Sequence, residues 1–174
     1  MSQSKEDFIN NEFWVLTFGA AFQHAGVYAP DVDARTKAIF RLGIVTKIEL
    51  LVAEEYSCIM FGSEVHMANF LWLKQWIDVV FPTVLKGFEI KLGVVQKLLN
   101  MYLKYQWCNG NILEPPHCPF DRKIISELGF KYKERPVWTK INTIEEYIEL
   151  VEAAERVAVD KTLSQWELET FERG

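Results

Sequence analysis

Cysteine is scarce in this chain: Cys58, Cys108 and Cys118 are odd in number and far apart. That excludes a disulfide framework and, with no signal peptide read ahead of Phe8, points to a reduced, cytoplasmic setting. Neither Cys-x-x-Cys nor His-Glu-x-x-His occurs, so no metal and no cofactor are expected. No apolar run is long enough to cross a bilayer, and no membrane partner is expected. Positive charge is also in deficit, 19 Lys and Arg against 24 Asp and Glu, a net −5. Phosphate neutralisation drives non-specific nucleic-acid binding, so this balance argues against a broad DNA-coating surface. The basic residues recur between Lys86 and Lys140, whereas Glu crowds the stretch from Glu145 to Glu172. Such an asymmetry is compatible with one basic and one acidic face. No repeat, low-complexity run or linker divides the chain, so 1–174 reads as a single, monomeric domain.

What is present is helical periodicity and a rich supply of rings. Hydrophobic residues make up 49% and aromatics 14% of the 174 residues, enough for a core built on large flat side chains. A first helix is expected from Ser4 to near Gly26 and a second from about Asp33. Tyr56 to Gly62 reads as a turn. A third helix is expected after Ser63 as N-cap, and a fourth from about Glu89 to Trp107, closed by Asn109-Gly110. Three prolines make Glu114 to Pro119 irregular. A short helix over Asp121 to Leu128 comes next, then a loop from Lys131 to Asn142 pinned by Trp138. Thr143 with Glu146 and Thr162 with Gln165 are capping signals for two last helices. The fold class is all-α, a compact multi-helix domain.

Polar residues arranged for chemistry are concentrated between Lys91 and Ile125. Lys97, Asn100 and Lys104 fall at i, i+3 and i+7, one polar stripe beside the apolar Val94, Leu98, Met101 and Tyr105. Two ammonium groups and an amide suit an anionic partner such as a phosphate backbone. In Pro119-Phe120-Asp121-Arg122-Lys123-Ile124 a carboxylate stands at a helix start, where the macrodipole favours its ionised form.

On these residues the chain resembles the helix-hairpin-helix DNA glycosylase superfamily, most of all its divergent archaeal 8-oxoguanine glycosylase branch. That family joins two helices by Leu-Pro-Gly-Val-Gly-x-Lys and places its aspartate later, in Pro-x-Asp-x-x-(Ile/Val). Gly93 matches the first turn glycine, Lys97 the lysine, Pro119 the proline, Asp121 the aspartate and Ile124 the apolar residue. Leu92 stands where the family has proline and Val95 where it has the second glycine. The lack of a four-Cys signature excludes an iron–sulfur member. The resemblance implies a glycosylase-like element over about 64–128 with a helix-hairpin-helix-like turn. It also implies a DNA N-glycosylase, a hydrolase excising a damaged or modified base by base flipping from double-stranded DNA. Asp121 and Lys97 would be catalytic, Asp121 activating water or taking a proton from Lys97, and Lys97 forming a Schiff base in a bifunctional enzyme. Gly93, Gln96, Asn100, Lys104, His117 and Arg122 would contact DNA. Trp14, Phe18, Phe22 and Tyr28 offer a stacking surface for the base.

Each residue also has a plainer reading. Lys97 alone is a solvated helix lysine, Asp121 an N-cap, and His117-Cys118 the filling of a Pro-rich turn. His66, facing Asn69, is a buried hydrogen-bonded histidine. Trp72, Trp76, Trp107, Trp138 and Trp166 build the core. On these readings the chain is a non-enzymatic helical interaction protein or a catalytically silent DNA-binding adaptor.

Overall fold

Helix starts follow from short polar side chains that satisfy the free N–H groups of a first turn. The computed structural model describes residues 3–57 and 62–171. In it α1 spans Gln3–Phe22, and α2 spans Ala34–Glu55 with the Asp33 carboxylate accepting from the Thr36 N–H. α3 (Ser63–Val80) has Gly62 at its N-cap; the Ser63 hydroxyl, expected there, bonds to His117 instead. α4 runs Leu92–Cys108 and ends at Asn109. α5 (Arg122–Glu127) begins under the Asp121 carboxylate, which accepts from the Ile124 N–H. Thr143 and Glu146 form a reciprocal capping box on α6 (Ile144–Ala158), and Thr162 caps α7 (Leu163–Thr170). Single 3-10 turns lie at Pro82–Val84, Lys86–Phe88, Tyr132–Glu134 and Trp138–Lys140.

The all-α reading holds: among the described residues the only extended pairing is one isolated bridge between Tyr28 and Leu85. None of their helices is long and apolar enough to cross a membrane. Most of the turn expected over Tyr56 to Gly62 lies outside the described residues.

α4 is the axis of the fold, packed against α1, α3, α6 and the Trp138–Lys140 turn. On the α1 side Trp14 stacks on Tyr102 with ring centroids 4.1 Å apart, and Asn10 accepts from Tyr102 and Gln106. A helix covered on all sides is ordinarily apolar all round. α4 is not, because Gln96, Lys97, Asn100, Lys104 and Gln106 are buried with its leucines and valines. Each must therefore be satisfied from within the protein.

Two expectations are corrected here. No tight glycine turn forms at Lys91 to Lys97: residues 81–91 join α3 to α4, with left-handed φ at Gly87 and Phe88, and Gly93 is already helical. Gly93 serves a close approach, since a Cβ there would lie 1.7 Å from the Trp138 carbonyl oxygen. Its N–H donates to Ile141 at 2.9 Å. Nor do all the tryptophans build the core: Trp138 is buried, but Trp72 is 43% exposed and lies under the Lys47 ammonium.

Candidate functional site

Lys97 and Asp121 meet. The second turn of α4 and the N-cap of α5 place Lys97 Nζ 2.7 Å from Asp121 Oδ2, while Asp121 Oδ1 caps α5 through the Ile124 N–H. The Lys97 side chain is only 4% exposed and that of Asp121 23%. Burial pushes the Lys97 amine below the ordinary lysine range, and the Asp121 carboxylate only partly restores it. Burial also works to raise Asp121, but the Lys97 charge and hydrogen bonds from Lys97, Ile124 and Lys123 outweigh it and hold the carboxyl low. The Trp138 ring lies 5.5 Å from Lys97 Nζ, a cation–π contact covering the amine. The arrangement is a desolvated amine with a proton acceptor at hydrogen-bond distance.

Beside this pair Gln96 and Asn100 knit the Pro-rich loop to α4. The Gln96 amide donates to the Phe120 carbonyl and accepts from the Phe120 N–H. Asn100 donates to the Cys118 carbonyl at 2.9 Å. A carbonyl can only accept, so Asn100 Oδ1 faces His66 Nε2, also 2.9 Å away. His66 therefore carries its proton on Nε2, and its Nδ1 accepts from the Tyr56 hydroxyl at 2.6 Å. His117 bonds to Ser63 and, through Nδ1, to Tyr147. Burial pushes His117 down to about 4 and His66 well below its ordinary value. Both rings are neutral at pH 7.

The second cation of the stripe also has an internal partner. Lys104 Nζ lies 2.9 and 2.6 Å from the two carboxylate oxygens of Glu167 on α7. Burial raises Glu167, with Lys104 opposing that effect. Two ion pairs, Lys97–Asp121 and Lys104–Glu167, thus sit along one side of α4. Two surface cavities lie elsewhere, and these four residues line neither. One, of about 520 Å³, is lined by Ser63, the Leu113–His117 loop and the junction of α6 with α7. The other, of about 490 Å³, lies between α1 and α2, floored by Trp14, Phe18, Phe22 and Tyr28. It is on the Tyr102 side of α4, across the helix from Lys97.

Of the residues expected at the site, the structure brings Lys97 and Asp121 together and leaves Arg122 exposed beside them. Gly93, Gln96, Asn100, Lys104 and His117 are all buried and engaged internally. Their polar groups are turned inward, toward partners within the protein. The stacking rings lie away from the pair. Sequence reasoning missed Glu167, set among acidic residues that read as a solvated face, and Trp138 as a cover for Lys97. No protein-family model, curated protein or solved structure matches the chain.

Proposed function

We propose that this chain is a DNA N-glycosylase excising a damaged or modified base, with Lys97 and Asp121 as its chemical pair. One observation carries the reading. Two residues 24 positions apart, picked out by their order and helix-start setting, stand 2.7 Å from each other. The amine of the pair is desolvated, as a lysine nucleophile requires.

A base inside a duplex is out of reach, so its nucleotide is flipped out. Lys97 passes a proton to Asp121 Oδ2 and adds through nitrogen to C1′ of the sugar. The C1′–N bond to the base breaks with its electron pair, and the base leaves with the proton that Asp121 returns. Sugar ring opening then gives a Schiff base. In the hydrolytic variant Asp121 opposes the oxocarbenium charge and takes a proton from the water that adds to C1′. The amine route needs Trp138 to move off Lys97.

The covered amine favours a second reading, a catalytically silent DNA-binding protein in which the pair is structural. The test is incubation with duplexes carrying oxidised, alkylated and mispaired bases, with and without borohydride. A trapped adduct lost in Lys97→Ala supports the lyase. Abasic sites formed without trapping, and lost in Asp121→Asn, support the hydrolytic route. If no base is released from any duplex, the enzymatic reading falls.

A further inference from the structure

The segment that leaves Asp121 and returns at Trp138 differs in charge from the rest of the chain. Between Arg122 and Lys140 six basic residues face two acidic ones, Glu127 and Glu134. That is a net +4 in a chain of net −5, leaving −9 elsewhere. All six (Arg122, Lys123, Lys131, Lys133, Arg135 and Lys140) are exposed. Lys131 lies loosely beside Glu134 at 3.9 Å. At the tip Tyr132 is 79% exposed, with the Arg135 guanidinium 5.6 Å from its ring. An aromatic side chain so exposed adds almost nothing to the core, yet it presents a flat face between cations.

The two ends of this excursion are anchored at one point. Asp121 is held by Lys97 at 2.7 Å, and the Trp138 ring covers the same ammonium at 5.5 Å. The close approach of the Trp138 carbonyl to Gly93 fixes the return. Residues 122–137 therefore run from one side of the Lys97–Asp121 pair to the other, with Ile124, Ile125 and Leu128 buried in the core and the cations and Tyr132 at the surface.

We infer that residues 122–140 form the DNA-contacting surface: the cations neutralise backbone phosphates and Tyr132 stacks on a base beside the nucleotide being processed. The identity of the partner rests on the glycosylase reading. The surface takes the place of the α4 stripe, whose cations are turned inward. It reconciles an acidic protein with a nucleic-acid partner by confining the positive charge to one loop.

The experiment measures binding of a labelled 20-base-pair DNA duplex across a salt series by anisotropy. Three proteins are compared: wild type, Lys133→Glu/Arg135→Glu/Lys140→Glu and Tyr132→Ala. A second triple variant, Lys5→Glu/Arg35→Glu/Lys37→Glu, makes the same change in net charge elsewhere. Thermal melts check that each remains folded. The loop variant should lose at least tenfold in affinity at low salt. Its log–log salt slope should flatten by roughly 2–3, at about 0.9 for each phosphate it no longer neutralises. Tyr132→Ala should lose several-fold on a duplex holding an unpaired base, and less on a perfect one. The control triple should bind within about twofold of wild type.

Failure of wild type to bind the duplex at low salt would overturn the inference. So would equal losses in the two triple variants, or a clear preference for duplex RNA or a polyglutamate peptide. Loop-dependent binding without excision of any base would leave the surface standing and remove the chemistry. Excision unaffected by the loop variant would do the reverse.

Discussion

The backbone of Gly93 lies directly beneath the carbonyl of Trp138: a Cβ at position 93 would stand 1.7 Å from that oxygen and 2.8 Å from its carbon. Neither neighbour is the flexible end of a side chain, so the Trp138–Lys140 turn must lift for any larger residue. Gly93→Ala should therefore destabilise the fold by about 3 kcal/mol, the upper range for overpacking a close-packed contact. Trp138 should also become accessible, raising indole quenching by acrylamide. An alanine variant with wild-type melting and quenching would refute this account of the glycine.

Lys104 and Glu167 are both buried, joined by two short hydrogen bonds. Removing one partner of such a pair strands the other charge, at a cost of about 3–5 kcal/mol, whereas an apolar pair of similar size is close to neutral. Glu167→Ala should lower stability by that amount, and Lys104→Met/Glu167→Leu should recover most of it. Chemical denaturation of wild type, Lys104→Met, Glu167→Leu and the double variant gives the coupling. A double variant as unstable as the single one would mean that Glu167 acts through α7 packing rather than through Lys104.

These two contacts show where the sequence was legible. Asp33, Asp121, Thr143 and Thr162 mark helix starts because a cap is decided within four residues of chain. Lys97 and Asp121 were found through their order and spacing, since both lie on short helix-entry patterns. The stripe of Lys97, Asn100 and Lys104 has the period of a solvated face. Yet its solvent is the rest of the protein: the Cys118 carbonyl, His66 and Glu167, contributed by segments distant in sequence. Helical periodicity reports that residues share a face and says nothing of what covers it. Trp72 shows the converse, a large ring in a helical pattern left at the surface beneath Lys47.

The two buried histidines give the protein an acid limit. His117, with Tyr147, Ser63 and His66 around it, is held by burial at about 4 against an ordinary 6.5. Between those values the unfolded chain binds more protons than the folded one, so stability falls as pH drops through that window. The contribution is fully present above pH 6.5 and amounts to about 3 kcal/mol over the full shift. His66 acts in the same direction. Asp121, held below 3.8, adds its loss only at lower pH. Urea midpoints measured from pH 8 to pH 4 should decline steadily. A flat profile in wild type would mean that the histidines take up protons without disturbing the Tyr56–His66–Asn100 chain.

Lys97 and Asp121 are unequally exposed, and their removal should be unequal too. With Lys97→Met, Asp121 keeps its Ile124 cap and some solvent, so the cost should stay near 1 kcal/mol, that of one modest hydrogen bond. With Asp121→Asn the Lys97 amine loses its counter-charge inside the protein, and the cost approaches the roughly 3 kcal/mol of a broken buried pair. The amine escapes part of that by giving up its proton, which moves its pKa further below the ordinary 10.5. Between that lowered value and 10.5 the unfolded chain holds the extra proton, so the stability of Asp121→Asn should climb with pH, more steeply than that of wild type. Denaturant midpoints at pH 6, 8 and 10 for the three proteins separate the cases. Equal and pH-independent losses in both variants would show that Lys97 is not desolvated in solution, and with that the chemical case for an amine nucleophile would go.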